Sequence, residues 1–566
     1  MKNRQFSTLK LTSGYIKQFK NKVELDYSNA KKFGKIINLA DSQMLRTIRE
    51  VTNHKVDYEL LESWYKERDS LKKLPKSKPN SRKVYEIQEK INDMMFIPEY
   101  VTVVMDSEKQ YKTLFEQGFY IVFNGVCRHY KRLSCSAGQA RVSTVVFCDS
   151  EILDEVRDRL DNGRDKSVPI SPSKFNAYFG LYSSASKVVS TPRFCVVPDY
   201  ESNCKVMVNY VTETSEDEDD IIDEREIELP FNRTDGMGLI TYEQAKKWAE
   251  ELGLDYVPAE WCIRQSFTKG MLATFPILEF CDKIGQGRYE TTDVYGNKVD
   301  LREIDVILTE SQFKLWNAYP NLEYYNECCE ANDLKWGIAI HTPKKDDDVL
   351  KLNYQFLQTL NLDEAKVDEV CSMFIDWIKG VSFENLDYLK LFLLGGSHSE
   401  KSIQNYLRSS DNYWVKALLL EPQLLEDKFI RKKIYDLIKT RIKEGCLGSI
   451  IVNGNFQVIV SDPYAMMQHV LGMEVTGLLK EKEFYANYWT SQGINVIDSM
   501  RAPMTYLSEH VVLNLRNDED VNYWYRYLTT GVILNYFGHE TMNYAGSDKS
   551  MSPHSAMGDE KNVVNL

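Results

Sequence analysis

At 566 residues, with 43% hydrophobic and 12% aromatic content, the chain is too long for one hydrophobic core and too apolar for a disordered polypeptide. A formal net charge of −13 excludes a surface coated throughout in phosphate-binding groups, although an acidic exterior can still enclose a basic channel. The eleven cysteines contain no Cys-x-x-Cys pair, and the adjacent Cys328 and Cys329 are poorly placed for a bridge, so reduced thiols and a cytoplasmic location are expected.

The opening MKNRQFSTLKLTSGYIKQFKNK lacks the continuous apolar run of a secretory signal, and no window reaches 18 uninterrupted apolar residues; no membrane partner is expected. From Tyr27 to about Asp93 the pattern is helical and charged. It is interrupted by KKLPKSKPNSRK, Lys72 to Lys83, whose prolines and basic residues predict an exposed linker, either a solvated loop or a phosphate-touching arm. Between Tyr100 and Pro198, β-rich runs such as FYIVFNGV and VSTVVFC alternate with the helical SEILDEVRDRL, as in an α+β module.

TSEDEDDIIDERE, Thr214 to Glu226, cannot bury its like charges and is expected to be a mobile loop; nothing in its spacing converges the acids on a metal. The β-like IELPFN then leads into the turn TDGMG and the helix TYEQAKKWAEELG, with Thr241 as cap and Gly253 as stop. GMLATFPILEF and EIDVILTE are strand-like, and Asn317 to Arg441 is mainly helical, as in KFIRKKIYDLIKTRI. From Gly445 the β pattern returns in GSIIVNGNFQVIV and GINVIDSMRAP. Two β-rich regions are therefore separated by a long helical insert.

Several positions could carry chemistry. In CIRQSFTKGM, Lys269 lies between apolar runs, where an anionic partner would offset its desolvation; the bland alternative is a surface lysine whose stem lies along apolar neighbours. The glycines of NRTDGMG suit a tight turn or a close backbone approach but do not match the GxxxxGK[ST] spacing of a phosphate loop. In DSMRAPM, Arg501 enters an extended segment before Pro503, where its guanidinium could read a ribose or phosphate or simply form a surface ion pair. Asp548, in HETMNYAGSD, follows small residues that would admit a ligand, though a lone Asp is usually a turn residue.

In order along the chain, these blocks resemble the two-barrel RNA polymerases. The best match is the single-chain branch of RNA-dependent RNA polymerases of silencing and the YonO-like and crAss-like phage enzymes. YKRLSCSAGQARVSTVVFC and KFNAYFGLYSSAS are similar to successive blocks of that family. FNRTDGMGLITYEQAKKWAEELG with PAEWCIRQSFTKGMLA resembles its TDGxG and QxRxxxxKG pair, which marks a first double-psi β-barrel. LNYQFLQTL resembles a helix of the insert; GSIIVNGNFQVIVSDP and SMRAPMTYLSEHVVLNL resemble the second barrel, and TMNYAGSD the approach to a DxDGD metal loop. The resemblance covers Tyr100 to Asp548.

The fold it implies is α+β, with two double-psi β-barrels, the second incomplete, joined by a helical insert and preceded by a helical N-terminal region. The corresponding segments are 1–99 (helical, with the basic linker), 100–227 (α+β module), 228–316 (first barrel), 317–444 (helical connector), 445–548 (second barrel) and 549–566 (atypical tail). The activity implied is template-directed RNA synthesis by a nucleotidyltransferase using NTPs and Mg²⁺, with a DNA template favoured and an RNA template as the alternative. Lys269 would neutralise phosphate charge, Arg501 would contact the incoming ribose or its phosphates, and Asp548 would be the first metal carboxylate. Asp235 and Gly236 of the TDGxG turn, with Arg141 and Arg264, would contact nucleic acid or nucleotide, the two arginines lining the template or product path.

After Asp548 the family pattern continues to two further acids, whereas this chain has Lys549, Ser550 and Met551. The expectation is an N-terminal portion interrupted at the metal loop by an intron or gene split, inactive alone and completed by splicing or by a second chain, in the host cytoplasm if phage-encoded. A non-catalytic nucleic-acid-binding remnant is the alternative from another class.

Overall fold

The computed structural model describes residues 5–53, 57–74, 77–106, 111–213, 221–358, 360–382, 389, 393, 412–501, 510–538 and 563–565. Strands Gln5–Thr12 (β1), Lys22–Leu25 (β2), Ile36–Ala40 (β3), Phe96–Val104 (β4), Phe119–Phe123 (β5), Val126–Ser134 (β6) and Thr144–Asp149 (β7) form one mixed sheet in the order β2-β5-β6-β7-β4-β1-β3. Alternation along its strands covers both faces: Leu9, Leu11, Val101, Val103 and Phe147 enter one core, while Phe6, Tyr100, Val146 and Cys148 enter another.

The first 99 residues are thus not simply helical. Helices Tyr58–Lys73 and Lys78–Met94 agree with the charged periodic pattern, but β1 to β3 belong to a sheet whose central strands lie about a hundred residues downstream. Local periodicity carries no signal for such distant pairing. The basic linker is also shorter than expected. Ser77 caps the second helix through its Oγ, accepting from Asn80 N at 3.3 Å, and Pro79 sits in the first turn, where its missing N–H costs nothing.

A second seven-stranded sheet follows. Its members are Lys187–Val188 (β8), Phe194–Val197 (β9), Met237–Ile240 (β12), Glu260–Gln265 (β13), Thr268–Thr274 (β14), Val306–Thr309 (β17) and Gly337–His341 (β18), ordered β8-β18-β13-β14-β12-β17-β9. The intervening strands are Glu201–Glu213 (β10) and Ile221–Asn232 (β11), which pair only with each other, and the small hairpin Glu290–Thr292 (β15) and Lys298–Asp300 (β16). This curled sheet draws on residues outside 228–316 at both ends, because β8, β9 and β18 pair with its edges.

The acidic stretch Thr214–Glu226 is strand from Ile221 onward, as part of the β10–β11 ribbon; residues 214–220 lie outside the described residues. A two-stranded ribbon leaves charged side chains in solvent, so like charges do not forbid it, and Lys205 Nζ meets Glu226 at 3.2 Å.

Beyond Val349–Lys351 (β19) come the insert helices Glu364–Ser382, Tyr413–Leu420 and Lys428–Cys446. Phe374, Ile378, Ile430 and Ile434 share their core. Strands Ile451–Asn453 (β20), Asn455–Gln457 (β21), Ile459–Ser461 (β22), Glu483–Phe484 (β23), Val496–Arg501 (β24), His510–Leu515 (β25), Val532–Leu534 (β26) and Val563–Asn565 (β27) complete the chain. β22 runs parallel to β26, and β21-β27-β24-β25-β23 form a sheet. Residues of the second sheet and of 458–536 share one apolar core, with Phe280 edge-on to Tyr464 and Trp524. All eleven cysteines are free thiols, and among the described residues no helix is long and apolar enough to cross a membrane.

Candidate functional site

The TDGMG turn is built into the second sheet by a set of short polar contacts. Thr234 Oγ1 donates to Asp199 Oδ1 at 2.9 Å, Ser311 Oγ donates to the same oxygen at 2.9 Å, and Gly236 N donates to Ser311 Oγ at 2.7 Å. Burial pushes the Asp199 carboxyl up, and the hydroxyl donors pull against that shift. Asp199, Thr234 and Ser311 therefore anchor the turn. Gly236 adopts φ +65°, a left-handed conformation that glycine takes without a steric cost.

Gln312 ties this turn to the TKGM strand. Its Nε2 donates to Gly236 O at 3.1 Å and to Met271 O at 3.0 Å, while its Oε1 accepts from Thr309 N at 3.2 Å. A Cβ on Gly238 would stand 2.4 Å from Ile307 O, and one on Gly270 would stand 2.4 Å from Gly236 O. Both glycines are fixed by backbone approach, which the NRTDGMG motif predicts for Gly238 and which the structure adds for Gly270.

Lys269 follows from this geometry. Its N–H donates to Gln312 O at 3.0 Å, and neighbouring Thr268 bridges antiparallel to Phe313. Lys314 N donates to Phe267 O at 3.0 Å, so both lysines flank the same crossing. Burial pushes the Lys314 ammonium down; Asp235 and Asp199 pull it back up, and Lys269 adds a repulsion that lowers it further. Two ammonium groups and the Asp235 carboxylate thus share one patch. Lys314 was missed from sequence, although SQFKLW places it between apolar residues as FTKGM places Lys269.

The KFNAYFG block reaches this patch as well. Burial, then Asp235, raises the phenol of Tyr178 on helix Pro172–Phe179. Tyr182 donates to Leu160 O and meets Ser266 Oγ, each at 2.7 Å. Next in the chain order, Gly180 packs so closely on Ser136 that a Cβ would stand 2.8 Å from its Cα. Ser136 begins helix Ala137–Arg141 with a capping box, its Oγ accepting from Gln139 N at 3.2 Å and its N–H donating to Gln139 Oε1 at 2.9 Å. Arg141 ends that helix and is exposed.

Arg264 adjoins this patch. It is directly opposite Lys269 in the β13–β14 ladder but only 5% exposed, and its Nη1 donates to Ile263 O at 2.6 Å and to Cys262 Sγ at 3.2 Å. Within the sheet, β18 and β14 pair the backbone of β13 on its two sides, while the Arg264 side chain is covered at a sheet face.

In the last part of the chain Arg501 ends β24, its backbone opposite Val563. Asp548 lies outside the described residues. Among the described residues no group of three or more His, Cys, Asp or Glu converges as a metal site. The described donors by themselves do not fit a two-metal centre.

Residues 77–517 match the family described as RNA dependent RNA polymerase, and the chain belongs to it. The chain is 26% identical over 421 residues to the DNA-directed RNA polymerase YonO of Bacillus phage SPbeta, across 71% of this chain and 45% of that one. Its fold is similar to that of the RNA dependent RNA polymerase QDE-1 from Thielavia terrestris, with a TM-score of 0.50 and 12% identity, across 83% of this chain and 49% of the other. The chain thus spans about half the length of these relatives.

Proposed function

We propose that this chain takes part in template-directed RNA synthesis as a nucleotidyltransferase, with the Lys269–Lys314 pair holding triphosphate charge. The observation that carries the proposal is the convergence of both lysines and Asp235 on the TDGMG and TKGM backbone. Burial and the neighbouring Lys269 charge disfavour the Lys314 ammonium in the free protein, and a bound polyphosphate offsets both. Asp235 keeps the patch charged until the ligand arrives. Arg501 would approach the ribose or phosphates from β24, and Asp548 would be the first carboxylate of a Mg²⁺ site. The described residues do not by themselves make that site.

Arg141, exposed near the Ser136 cap, is the better candidate for a nucleic-acid contact, whereas Arg264 would brace β13. Segments 100–227, 228–316, 317–444 and 445–548 would act as module, first barrel, connector and second barrel, with the strand exchanges described above across their boundaries. DNA is favoured as template on the likeness to the phage enzyme; RNA is the second reading, favoured by the family match itself.

RNA synthesis on DNA and RNA templates, by the 566-residue chain alone and together with a polypeptide corresponding to the rest of its relatives' length, tests the proposal. Incorporation is expected with the added polypeptide and is lost in Lys269→Ala and Lys314→Met. Incorporation by the unaided chain would remove the idea of an interrupted enzyme. Triphosphate binding unchanged by both substitutions would overturn the site, and nucleic-acid binding without incorporation under every condition would leave the non-catalytic reading.

A further inference from the structure

The insert helix Lys428–Cys446, KFIRKKIYDLIKTRIKEGC, departs from the charge of the chain around it: seven basic residues stand against two acidic ones in a protein of net charge −13. Its inner face is already used, because Ile430 and Ile434 are buried in the insert core beside Phe374, Ile378 and Val381. The outer face is cationic, with Lys428, Lys432, Lys433, Lys439 and Lys443 exposed. Aromatic groups interrupt it: Phe429 is 57% and Tyr435 64% exposed, and Lys433 Nζ stands 5.5 Å from the Phe429 ring centroid. Of the two acids, Glu444 is engaged by Lys351 at 2.6 Å and Arg441 at 2.7 Å, at the C-terminal end of the helix.

We infer that this face is a docking surface for a nucleic-acid strand, with the lysines on phosphates and Tyr435 and Phe429 against bases. The inference rests on the proposed handling of nucleic acid but concerns a surface separate from the lysine pair. From Lys428 to Lys443 the helix rises about 22 Å, the axial length of roughly six nucleotide steps. Interleaved cations and planar rings suit single strands, where each base offers a face for stacking. A membrane surface fits less well. An interfacial helix needs a free apolar stripe, and here that stripe is packed inside the insert while the outer face carries only isolated apolar groups.

The test uses the full chain and fluorescently labelled single strands and duplexes of DNA and RNA, titrated with salt. The combined variant Lys428→Gln, Lys432→Gln, Lys439→Gln and Lys443→Gln is expected to reduce the slope of log affinity against log salt by about 3. Tyr435→Ala is expected to weaken single-strand binding about tenfold with the slope unchanged. Far-UV circular dichroism and thermal midpoint should stay unchanged, because all five side chains are exposed. ATP binding at the lysine pair should also be unchanged, which separates failure of this surface from failure of the proposed active site. An unaltered salt slope overturns the assignment. So does loss of binding to phosphatidylserine vesicles with nucleic-acid affinity intact.

Discussion

The side chain of Gln312 lies so close to Gly270 that a Cβ there would stand 2.3 Å from its Nε2. The amide could swing away only by giving up Gly236 O and Met271 O, and Gly236 O would itself stand 2.4 Å from the new methyl. Gly270→Ala should therefore cost about 1–3 kcal/mol of stability, as overpacking does in closed sites. Denaturant unfolding measures the cost, and calorimetric titration with ATP should show weakened binding as Lys269 shifts. A variant of unchanged stability would mean that the two strands are not locked as described.

Lys314 sets up an opposition between stability and binding. Its folded-state ammonium is held below the usual lysine range, chiefly by burial. Between its lowered folded value and about pH 10.5 the unfolded chain binds more protons at this position than the folded one, so within that window the contribution of Lys314 to stability rises with pH. Lys314→Met should raise the thermal midpoint, flatten that alkaline dependence and remove triphosphate binding. In the unsubstituted chain, triphosphate affinity should fall as pH rises toward the usual lysine range, because a bound polyanion favours the protonated form. A destabilised Lys314→Met would contradict the burial penalty.

Glu50 gives a second pH dependence, at the junction between helix Gln43–Val51 and the segment after helix Leu322–Ala331. Burial first, then its contact with Asp333, pushes the Glu50 carboxyl up to about 7; Arg159 and Lys335 oppose the shift. Gln43 fastens the same junction, donating through Nε2 to Asp333 O at 3.3 Å and accepting from Lys335 N at 3.0 Å. A raised acid contributes stability that is complete below its unfolded pKa and is lost as pH rises through about 7. Thermal unfolding followed from pH 5 to 8 should show that loss, and Glu50→Gln should flatten it. An identical profile in the variant would remove Glu50 as its source.

Sequence reached the chemistry of this chain further than its long-range pairing. The glycines of TDGMG were legible as a tight turn or close backbone approach, whereas Lys269 was marked by its place between apolar runs and by the resemblance, with a surface lysine left as the alternative. Lys314 carries the same local signal but lies outside the motif, and the crossing at Thr268–Phe313, with its flanking backbone hydrogen bonds, brings it beside Lys269. Arg264 was assigned to the template or product path by the resemblance alone, and its 5% exposure comes from packing on a sheet face that local sequence does not reveal. β1 and β2 were hidden for a related reason: β1 pairs with β4 and β2 with β5, far along the chain, and β3 only joins the edge through β1, while the two helices after them are written in local periodicity.

Asp462 shows what an ordinary Asp-Pro helix start can become when a core closes around it. Its Oδ1 accepts from Tyr464 N at 2.8 Å, Ala465 N at 3.1 Å and the Tyr525 hydroxyl at 2.6 Å. Its Oδ2 accepts from Leu478 N at 2.8 Å and Leu479 N at 3.2 Å, so one buried side chain joins a helix cap, a loop and the helix Glu519–Trp524 that precedes Tyr525. Both oxygens face donors only. Asp462→Asn must turn an NH2 toward one set of those donors, leaving buried N–H groups without an acceptor, and should cost about 3 kcal/mol or more. Tyr525→Phe removes a single donor and leaves both backbone sets intact, for a loss of about 1.5–3 kcal/mol. Denaturant unfolding of the two variants, with protease cleavage sites mapped between 458 and 536, measures the order. A Tyr525→Phe loss equal to or larger than that of Asp462→Asn would show that the hydroxyl, and not the backbone donors, holds this region together.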